Sequence, residues 1–137
     1  MTSILEINSE DSKNLRQVKS IYSALKSSDI DSLKAILVDE PIWDVSPGFP
    51  EGKVYRGLPE ILGVFYTNLR SQAYSFAALP DSFVDGGDKV VALGHYQVIK
   101  TQGADPILIR FCHAWSIDTQ GNVKGVWQVA DSASFYN

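Results

Sequence analysis

The amino-acid sequence predicts an α+β domain in which three N-terminal helices cover a curved, mainly antiparallel sheet shaped like a cone or half-barrel. Two observations predict this fold. Apolar residues recur at helical spacing up to about residue 70, and from residue 73 onwards they alternate with polar neighbours, as in strands. No repeat, linker or low-complexity segment divides the chain, so we expect residues 1–137 to form a single domain.

Three helices are predicted in the first half of the chain. The first covers residues 12–27, and the second begins after Asp29, a favourable N-cap residue, and is stopped by Pro41. Pro59 suits the first turn of the third helix. The apolar faces of the three helices consist of Leu15, Val18, Ile21, Tyr22 and Leu25, then Ile30, Leu33, Ile36 and Leu37, and finally Ile61, Leu62, Phe65, Tyr66 and Leu69.

Extended structure is predicted in the rest of the chain. A short extended piece over residues 42–45 is followed by a loop rich in Pro and Gly. The strand that begins near residue 74 is broken or ended by Pro80, and the sequence Asp85-Gly86-Gly87-Asp88 is typical of a tight turn between antiparallel strands. The remaining strands are predicted over residues 89–100, over 107–118, and from a turn at Gly121 to about Ala130.

Charge and motifs argue against several classes of function. The 12 Lys and Arg residues against 16 Asp and Glu residues give a net charge of -4, which argues against nucleic acid or an anionic membrane as a partner. The N-terminus does not read as a secretory signal, and the single Cys112 excludes an internal disulfide, so a cytoplasmic location is expected. No phosphate-binding loop, nucleophile motif or zinc-ligand spacing occurs, so neither a cofactor nor a metal is expected.

The candidates for chemistry are His113, Asp131 and Asp44. His113 shares the apolar face of its strand with Trp115, which fits either a general acid/base or a core histidine held by a hydrogen bond. Asp131 ends the last strand, where it is either a turn residue or, inside an apolar cone, a carboxylate whose pKa is raised by desolvation. Asp44 follows a tryptophan and fits either a pocket carboxylate or the start of an exposed loop.

The order of these pieces resembles the SnoaL-like branch of the nuclear-transport-factor and ketosteroid-isomerase superfamily. The resemblance covers nearly the whole chain after residue 14. Its individual motifs are loose, and their order and spacing are more specific for the fold than for a reaction. The matching segments are 21–25, 42–47, Tyr55-Arg56-Gly57, 90–94, 111–117 and Asp131-Ser132.

The resemblance implies a cone whose open end receives a hydrophobic small molecule, and a homodimer formed through the sheet. Polyketide cyclases, steroid isomerases, dehydratases, epoxide hydrolases and non-catalytic binding modules share this fold. The positions that carry the base and the oxyanion donors in ketosteroid isomerase hold Val45, Cys112 and Ile21 here, so steroid isomerisation by that route is not expected. The similarity to the SnoaL-like cyclases lies in His113 and Asp131.

The main functional hypothesis is a cofactor-free acid/base enzyme, an isomerase, cyclase or lyase, that acts on a hydrophobic carbonyl-bearing small molecule. Asp131 would abstract a proton next to the carbonyl, His113 would donate to or orient the enolate oxygen, and Asp44 would lie near the mouth. The alternative is a non-catalytic binding or dimerisation module. Epoxide hydrolysis is disfavoured because Arg110 lies on the strand face opposite His113. The cavity walls are expected to include Tyr22, Trp43, Tyr66, Trp115 and Trp127.

Overall fold

A curved, unclosed sheet of six strands forms the framework of the computed structural model, which describes residues 3–136. The strands are β1 (Leu37–Val45), β2 (Val54–Arg56), β3 (Ser75–Asp85), β4 (Lys89–Ile99), β5 (Ile107–Ile117) and β6 (Val123–Ala130). They lie side by side in the order β2-β1-β6-β5-β4-β3. Only the β1–β6 pair is parallel among the strand pairs of these residues, so the sheet is mixed but mainly antiparallel, and the predicted α+β fold is confirmed.

The helices form where the apolar stripes predict them. Ser12 caps the first helix by accepting a hydrogen bond from Leu15 N–H, and Asp29 caps the second as predicted. The third predicted helix consists of three segments that follow one another without a break, the middle one π-helical. The bounds are α1 (Lys13–Ser27), α2 (Ile30–Ile36), α3 (Leu58–Glu60), the π segment (Ile61–Tyr66), α4 (Thr67–Arg70) and a C-terminal turn, α5 (Ala133–Tyr136).

The prediction for the second helix is wrong at its C-terminal end and for the burial of Ile30, although its start after Asp29 is confirmed. α2 stops at Ile36, and Pro41 lies inside β1 instead of ending a helix. The pairing of β1 with β6 is irregular just before Ile42, so a residue without an N–H group is accommodated there. Ile30 is 48% exposed because it lies in the first turn of α2, outside the apolar face.

Pro80 does not end its strand either. β3 runs through it to Asp85, and the register with β4 shifts between Pro80 and Ser82. Gly94 lies opposite this bulge, where a Cβ atom would come within 2.3 Å of the Leu79 carbonyl oxygen. The close approach of the two backbones therefore depends on a glycine at this position.

A second bulge, in β6, decides which side chains of that strand face inwards. Ser116 of β5 pairs with Gly125, whereas the next residue of β5 pairs with Val123, so Lys124 is an extra residue in β6. Before the bulge the odd-numbered side chain of Val123 is buried, and after it the even-numbered side chains are buried, starting with Val126. The inner and outer faces of the strand therefore exchange parity at this point.

The helices cover the inner face of the sheet. α1 packs against β3 and β4, α2 packs against α1 and β1, and α4 packs against β3. Fully buried aliphatic residues of α1, including Val18 and Ile21, belong to the same core cluster as those of β4 and β5, including Val90, Val98 and Ile109. Among the described residues, no helix is long and apolar enough to cross a membrane.

Candidate functional site

A cavity of about 550 Å³ lies between the helices and the inner face of the sheet, within the size range of ordinary small-molecule sites. Its rim consists of exposed residues from the N-terminal segment, from the ends of α1 and α4, and from β3. Its inner wall consists of buried or half-buried side chains, most of them aromatic. The aromatic lining residues are Tyr22, Trp43, Phe65, Tyr66, Phe76, Tyr96, His113 and Trp115.

His113 lies at the centre of the inner wall and is only 7% exposed. The alternation of β5 turns it inwards, and Phe111 stacks on its imidazole with ring centroids 3.8 Å apart and an interplanar angle of 7°. Both ring nitrogens are hydrogen-bonded. Nδ1 lies 2.6 Å from the Tyr22 hydroxyl, and Nε2 lies 2.7 Å from the Tyr96 hydroxyl.

Each of the two tyrosine hydroxyls also accepts a hydrogen bond from a second side chain. The Trp115 indole N–H donates to the Tyr22 oxygen at 3.0 Å, and the Gln128 amide donates to the Tyr96 oxygen at 3.0 Å. The Gln128 amide is fixed in this orientation because its oxygen, Oε1, accepts a hydrogen bond from the backbone N–H of Ser46 at 3.0 Å. A continuous chain of hydrogen bonds therefore runs along the wall from Trp115 to Gln128.

Burial keeps this chain of side chains uncharged. Desolvation lowers the pKa of His113 to about 3, because a buried imidazolium loses its hydration without gaining a counter-ion. Burial likewise raises the pKa of Tyr22, against the smaller opposing effect of the hydrogen bond from Trp115. It raises the pKa of Tyr96 in the same way, against the hydrogen bond from Gln128. At neutral pH the site therefore consists of a neutral imidazole between two neutral phenols.

Trp43 and Tyr66 form a second polar contact in the wall. The Trp43 indole N–H donates to the Tyr66 oxygen at 3.0 Å, and the Trp43 ring meets Trp115 edge-to-face at a centroid distance of 5.4 Å. Tyr66 is the last residue of the π segment, which directs both it and Phe65 to the cavity. Burial raises the pKa of Tyr66, so this hydroxyl too keeps its proton.

Two polar residues of the inner wall, Tyr96 and Gln128, were not predicted. Tyr96 shares the buried face of β4 with aliphatic residues, a pattern that is typical of a core tyrosine. Gln128 pairs directly with His113 across β5 and β6, but this register depends on the bulge at Lys124. The only hint of Gln128 in the sequence is that it is a polar residue in an otherwise apolar part of the last strand. Which face of the sheet it lies on could not be assigned without knowledge of the bulge.

The expectation that Asp131 lies in the cavity is wrong. The residue is exposed beyond the end of β6, its backbone N–H donates to the Arg110 carbonyl at 2.9 Å, and its Oδ2 accepts from the Ser134 hydroxyl at 3.0 Å. The bulge in β6 puts odd-numbered residues after Lys124 on the outer face. Asp131 therefore lies just before the terminal turn α5 and does not line the cavity.

The expected positions of Trp127 and Asp44 are also wrong. Trp127 is 53% exposed on the outer face, because it follows the bulge at an odd position and pairs with Ala114, not with His113. Asp44 pairs with Trp127 on the neighbouring strand and lies on that same outer face. The residues on either side of it in β1, Trp43 and Val45, are buried and face inwards. Neither side chain lines the cavity.

A buried lysine ties the N-terminal segment to the rim of the cavity. Lys19 of α1 is 5% exposed, and its ammonium donates to Asp11 Oδ2 at 2.8 Å and to the Glu6 carbonyl at 3.0 Å. These contacts hold residues 3–5 against the rim. The hydrogen bond from Lys19 also lowers the pKa of Asp11, which keeps this carboxylate charged.

Solved structures match this architecture closely. An NTF2-like protein of unknown function from Burkholderia pseudomallei superposes with a TM-score of 0.78 at 22% identity, over 91% of this chain and 95% of that chain. TerC, co-crystallised with polyporic acid, gives 0.78 at 19% identity, over 91% and 96%. A proposed SnoaL-like polyketide cyclase from Shewanella denitrificans gives 0.73 at 14% identity, over 92% and 96%.

The fold is NTF2-like. No protein-family model and no curated protein sequence matches the chain, so the likeness is one of structure. The predicted resemblance is confirmed at this level. Within this NTF2-like framework, residues 3–136 contain no cluster of three or more His, Cys, Asp or Glu side chains that could hold a metal ion.

Proposed function

We propose that this protein binds a largely apolar, carbonyl-bearing small molecule in the cavity and catalyses a proton transfer on it without a cofactor. Isomerisation, cyclisation and dehydration are reactions of this kind. The observation that carries the proposal is the neutral Tyr22–His113–Tyr96 chain inside an aromatic cavity. Two structures of the same fold, one co-crystallised with polyporic acid and one described as a proposed polyketide cyclase, support small-molecule chemistry here.

The chain of side chains provides a route for protons without a carboxylate base. A neutral imidazole has one N–H and one lone pair, so His113 accepts a proton at one nitrogen while it releases one at the other. Tyr22 and Tyr96 lie at the two nitrogens and both line the cavity. A proton taken up at one hydroxyl is therefore matched by a different proton delivered at the other.

For an enolisation the transfers balance as follows. The substrate C–H bond breaks and its proton goes to the Tyr22 oxygen, whose own proton moves to Nδ1 of His113. The Nε2 proton moves to the Tyr96 oxygen, and the Tyr96 proton goes to the substrate carbonyl oxygen. The electron pair of the C–H bond forms the carbon–carbon double bond as the carbonyl becomes an enol. In the protein only the imidazole tautomer has changed.

The test measures proton exchange directly. Carbonyl compounds of polyketide-like and terpenoid type are incubated with the protein in D₂O, and exchange next to the carbonyl is followed by NMR. Tyr22→Phe and Tyr96→Phe should each slow exchange about a hundredfold, because each interrupts the relay. Tyr74→Phe is the matched control, since that ring is 60% exposed, and it should leave the rate unchanged. Equal rates in all four proteins would reject the relay.

A second candidate function is binding without turnover. It is favoured by one observation: among the described residues that line the cavity there is no carboxylate, and His113, with a pKa of about 3, is a weak base. Quenching of tryptophan fluorescence on ligand addition, without any deuterium exchange in the bound ligand, would favour this candidate over the enzyme.

We also propose that the protein is a homodimer that pairs through the outer face of the sheet. Large apolar side chains are exposed on this face, although the helices cover the inner one. Apolar patches of this kind on a folded domain usually mark an interface. The exposed apolar residues of the central strands are Leu93, Leu108, Trp127 and Val129.

A further inference from the structure

The rim of the cavity carries positive charge. Among the described lining residues the charged side chains are Lys26 and Arg70, and both are exposed. Each lies in the last turn of its helix, α1 or α4, where the helix dipole favours a cation. Within residues 3–136 neither is paired with a carboxylate within 4.0 Å. Two unpaired cations at the opening contrast with the net charge of -4 on the whole chain.

The hydrogen-bonded side chains of the inner wall carry one more proton than they have hydrogen bonds in which to use it. Trp115 and Gln128 can only donate into the two ends of the chain, to Tyr22 and Tyr96. Between these ends, Tyr22, neutral His113 and Tyr96 carry three protons but are joined by two hydrogen bonds. One hydroxyl proton is therefore left over in either imidazole tautomer, on Tyr22 or on Tyr96.

Tyr66 adds a second unused donor. Its oxygen already accepts from Trp43, and no acceptor among the described residues takes the Tyr66 proton. Tyr66 lines the same cavity as Tyr22 and Tyr96. The wall therefore presents two O–H donors to a ligand. A ligand carbonyl oxygen accepts from these two protons, whereas a ligand N–H or O–H group in the same place would set donor against donor, which is costly in a buried site.

We infer that the ligand is an aromatic or polycyclic anion with two ends of different chemistry. Its inner end carries ketone or quinone oxygens that accept from Tyr66 and from Tyr22 or Tyr96. Its outer end carries a carboxylate or a comparable acidic group that lies between Lys26 and Arg70. This inference rests on the part of the proposed function that puts a small molecule in the cavity, and it does not depend on turnover.

Three related probes test the two ends separately. Anthraquinone-2-carboxylate has both features, its carboxamide lacks the charge, and anthracene-2-carboxylate lacks the carbonyl oxygens. Dissociation constants are measured by titration calorimetry, with quenching of the cavity tryptophans as a second readout. We expect the first probe to bind about tenfold more tightly than either of the others, with the advantage over the carboxamide shrinking as salt is added.

Variants assign each preference to its residues. Lys26→Met combined with Arg70→Met should abolish the preference for the carboxylate over the carboxamide. Lys34→Met combined with Lys124→Met is the matched control, because both side chains are exposed and outside the cavity lining, and it should keep that preference. Tyr66→Phe should reduce the preference for anthraquinone over anthracene several-fold.

The outcomes distinguish this inference from the proposed function. Equal binding of all three probes, a carboxylate preference that survives the Lys26/Arg70 variant, or no binding of any probe up to about 1 mM would overturn the inference. Selective binding of the anionic quinone together with no deuterium exchange in any substrate would leave the inference standing and reject catalysis. Deuterium exchange in neutral ketones, without any preference for anions, would support catalysis and overturn the inference.

Discussion

Single residues determine the electrostatics of the site, and His113 matters most among them. Burial lowers its pKa from 6.5 to about 3, so between these values the unfolded chain binds a proton that the folded chain does not. Protonation therefore favours unfolding. The free energy of unfolding should decrease as the pH falls below 6.5, with a slope that approaches about 1.4 kcal/mol per pH unit.

Urea denaturation at several pH values down to about pH 5.5, at which Asp and Glu carboxylates are still largely ionised, measures this slope. His113→Gln should remove most of it, because no buried imidazole remains to be protonated on unfolding. His95→Gln is the control. The His95 imidazole is half-buried on the outer face of the sheet, next to Asp81, so the slope should persist in this variant. A slope unchanged by His113→Gln would contradict the burial mechanism.

Residue patterns predicted part of this site. His113, Tyr22, Trp43, Tyr66 and Trp115 lie in the cavity wall because helical and strand periodicity already puts them on apolar faces. The hydrogen-bond partners of His113 could not be predicted from periodicity. Periodicity gives the face of a residue, whereas the contact between Tyr96 and His113 also depends on strand register and on ring orientation.

At the scale of elements, the bulge in β6 determines what the cavity contains. A Cβ atom on Gly125 would lie 2.1 Å from the Ile42 carbonyl oxygen of β1, so the strands can approach here only around a glycine. Gly125→Ala should therefore force β1 and β6 apart and lower the free energy of unfolding by about 2–3 kcal/mol. The change is measured by urea denaturation monitored by circular dichroism.

Gly63→Ala provides the matched control for this substitution. Gly63 lies in the π segment, and a Cβ atom there would meet nothing within 4 Å. Since alanine is the better helix former by up to about 1 kcal/mol, this variant should be as stable as the original chain or more stable. A Gly125→Ala variant as stable as Gly63→Ala would contradict the packing of β1 against β6.

Bulges also mark where sequence reasoning failed. The approximate bounds of β4, β5 and β6 follow from alternation and turn residues, and they are confirmed. One inserted residue, Lys124, then reverses the faces of everything after it, so Trp127 and Asp131 lie outside and Gln128 inside. Pro41 and Pro80 likewise interrupt pairing locally without ending a strand, which residue propensity alone does not reveal.

At the scale of the whole molecule, the sheet separates two faces with different tasks. The inner face lies under the helices and holds the cavity, so its side chains are aromatic and hydrogen-bonded. The outer face has no such cover from the described residues, yet it is largely apolar in its centre. Strand pairing aligns Leu93, Cys112 and Val129 in one row across it, and Val91, Ala114 and Trp127 in the next row.

These two rows form the surface through which we propose that two copies pair. Trp127 is the largest exposed side chain in them, at 53% exposure, so burying it against a partner would contribute most to the stability of the dimer.

Light scattering at roughly 50 µM, a concentration at which even a micromolar dimer is mostly assembled, should give the mass of a dimer. Trp127→Asp should give a monomer, because it puts a charge in the centre of the contact. Ile30→Asp, at a 48% exposed position on α2, should leave the dimer intact. A monomeric wild-type chain would reject this pairing, whereas a dimer that persists in a folded Trp127→Asp protein would assign the contact to another surface.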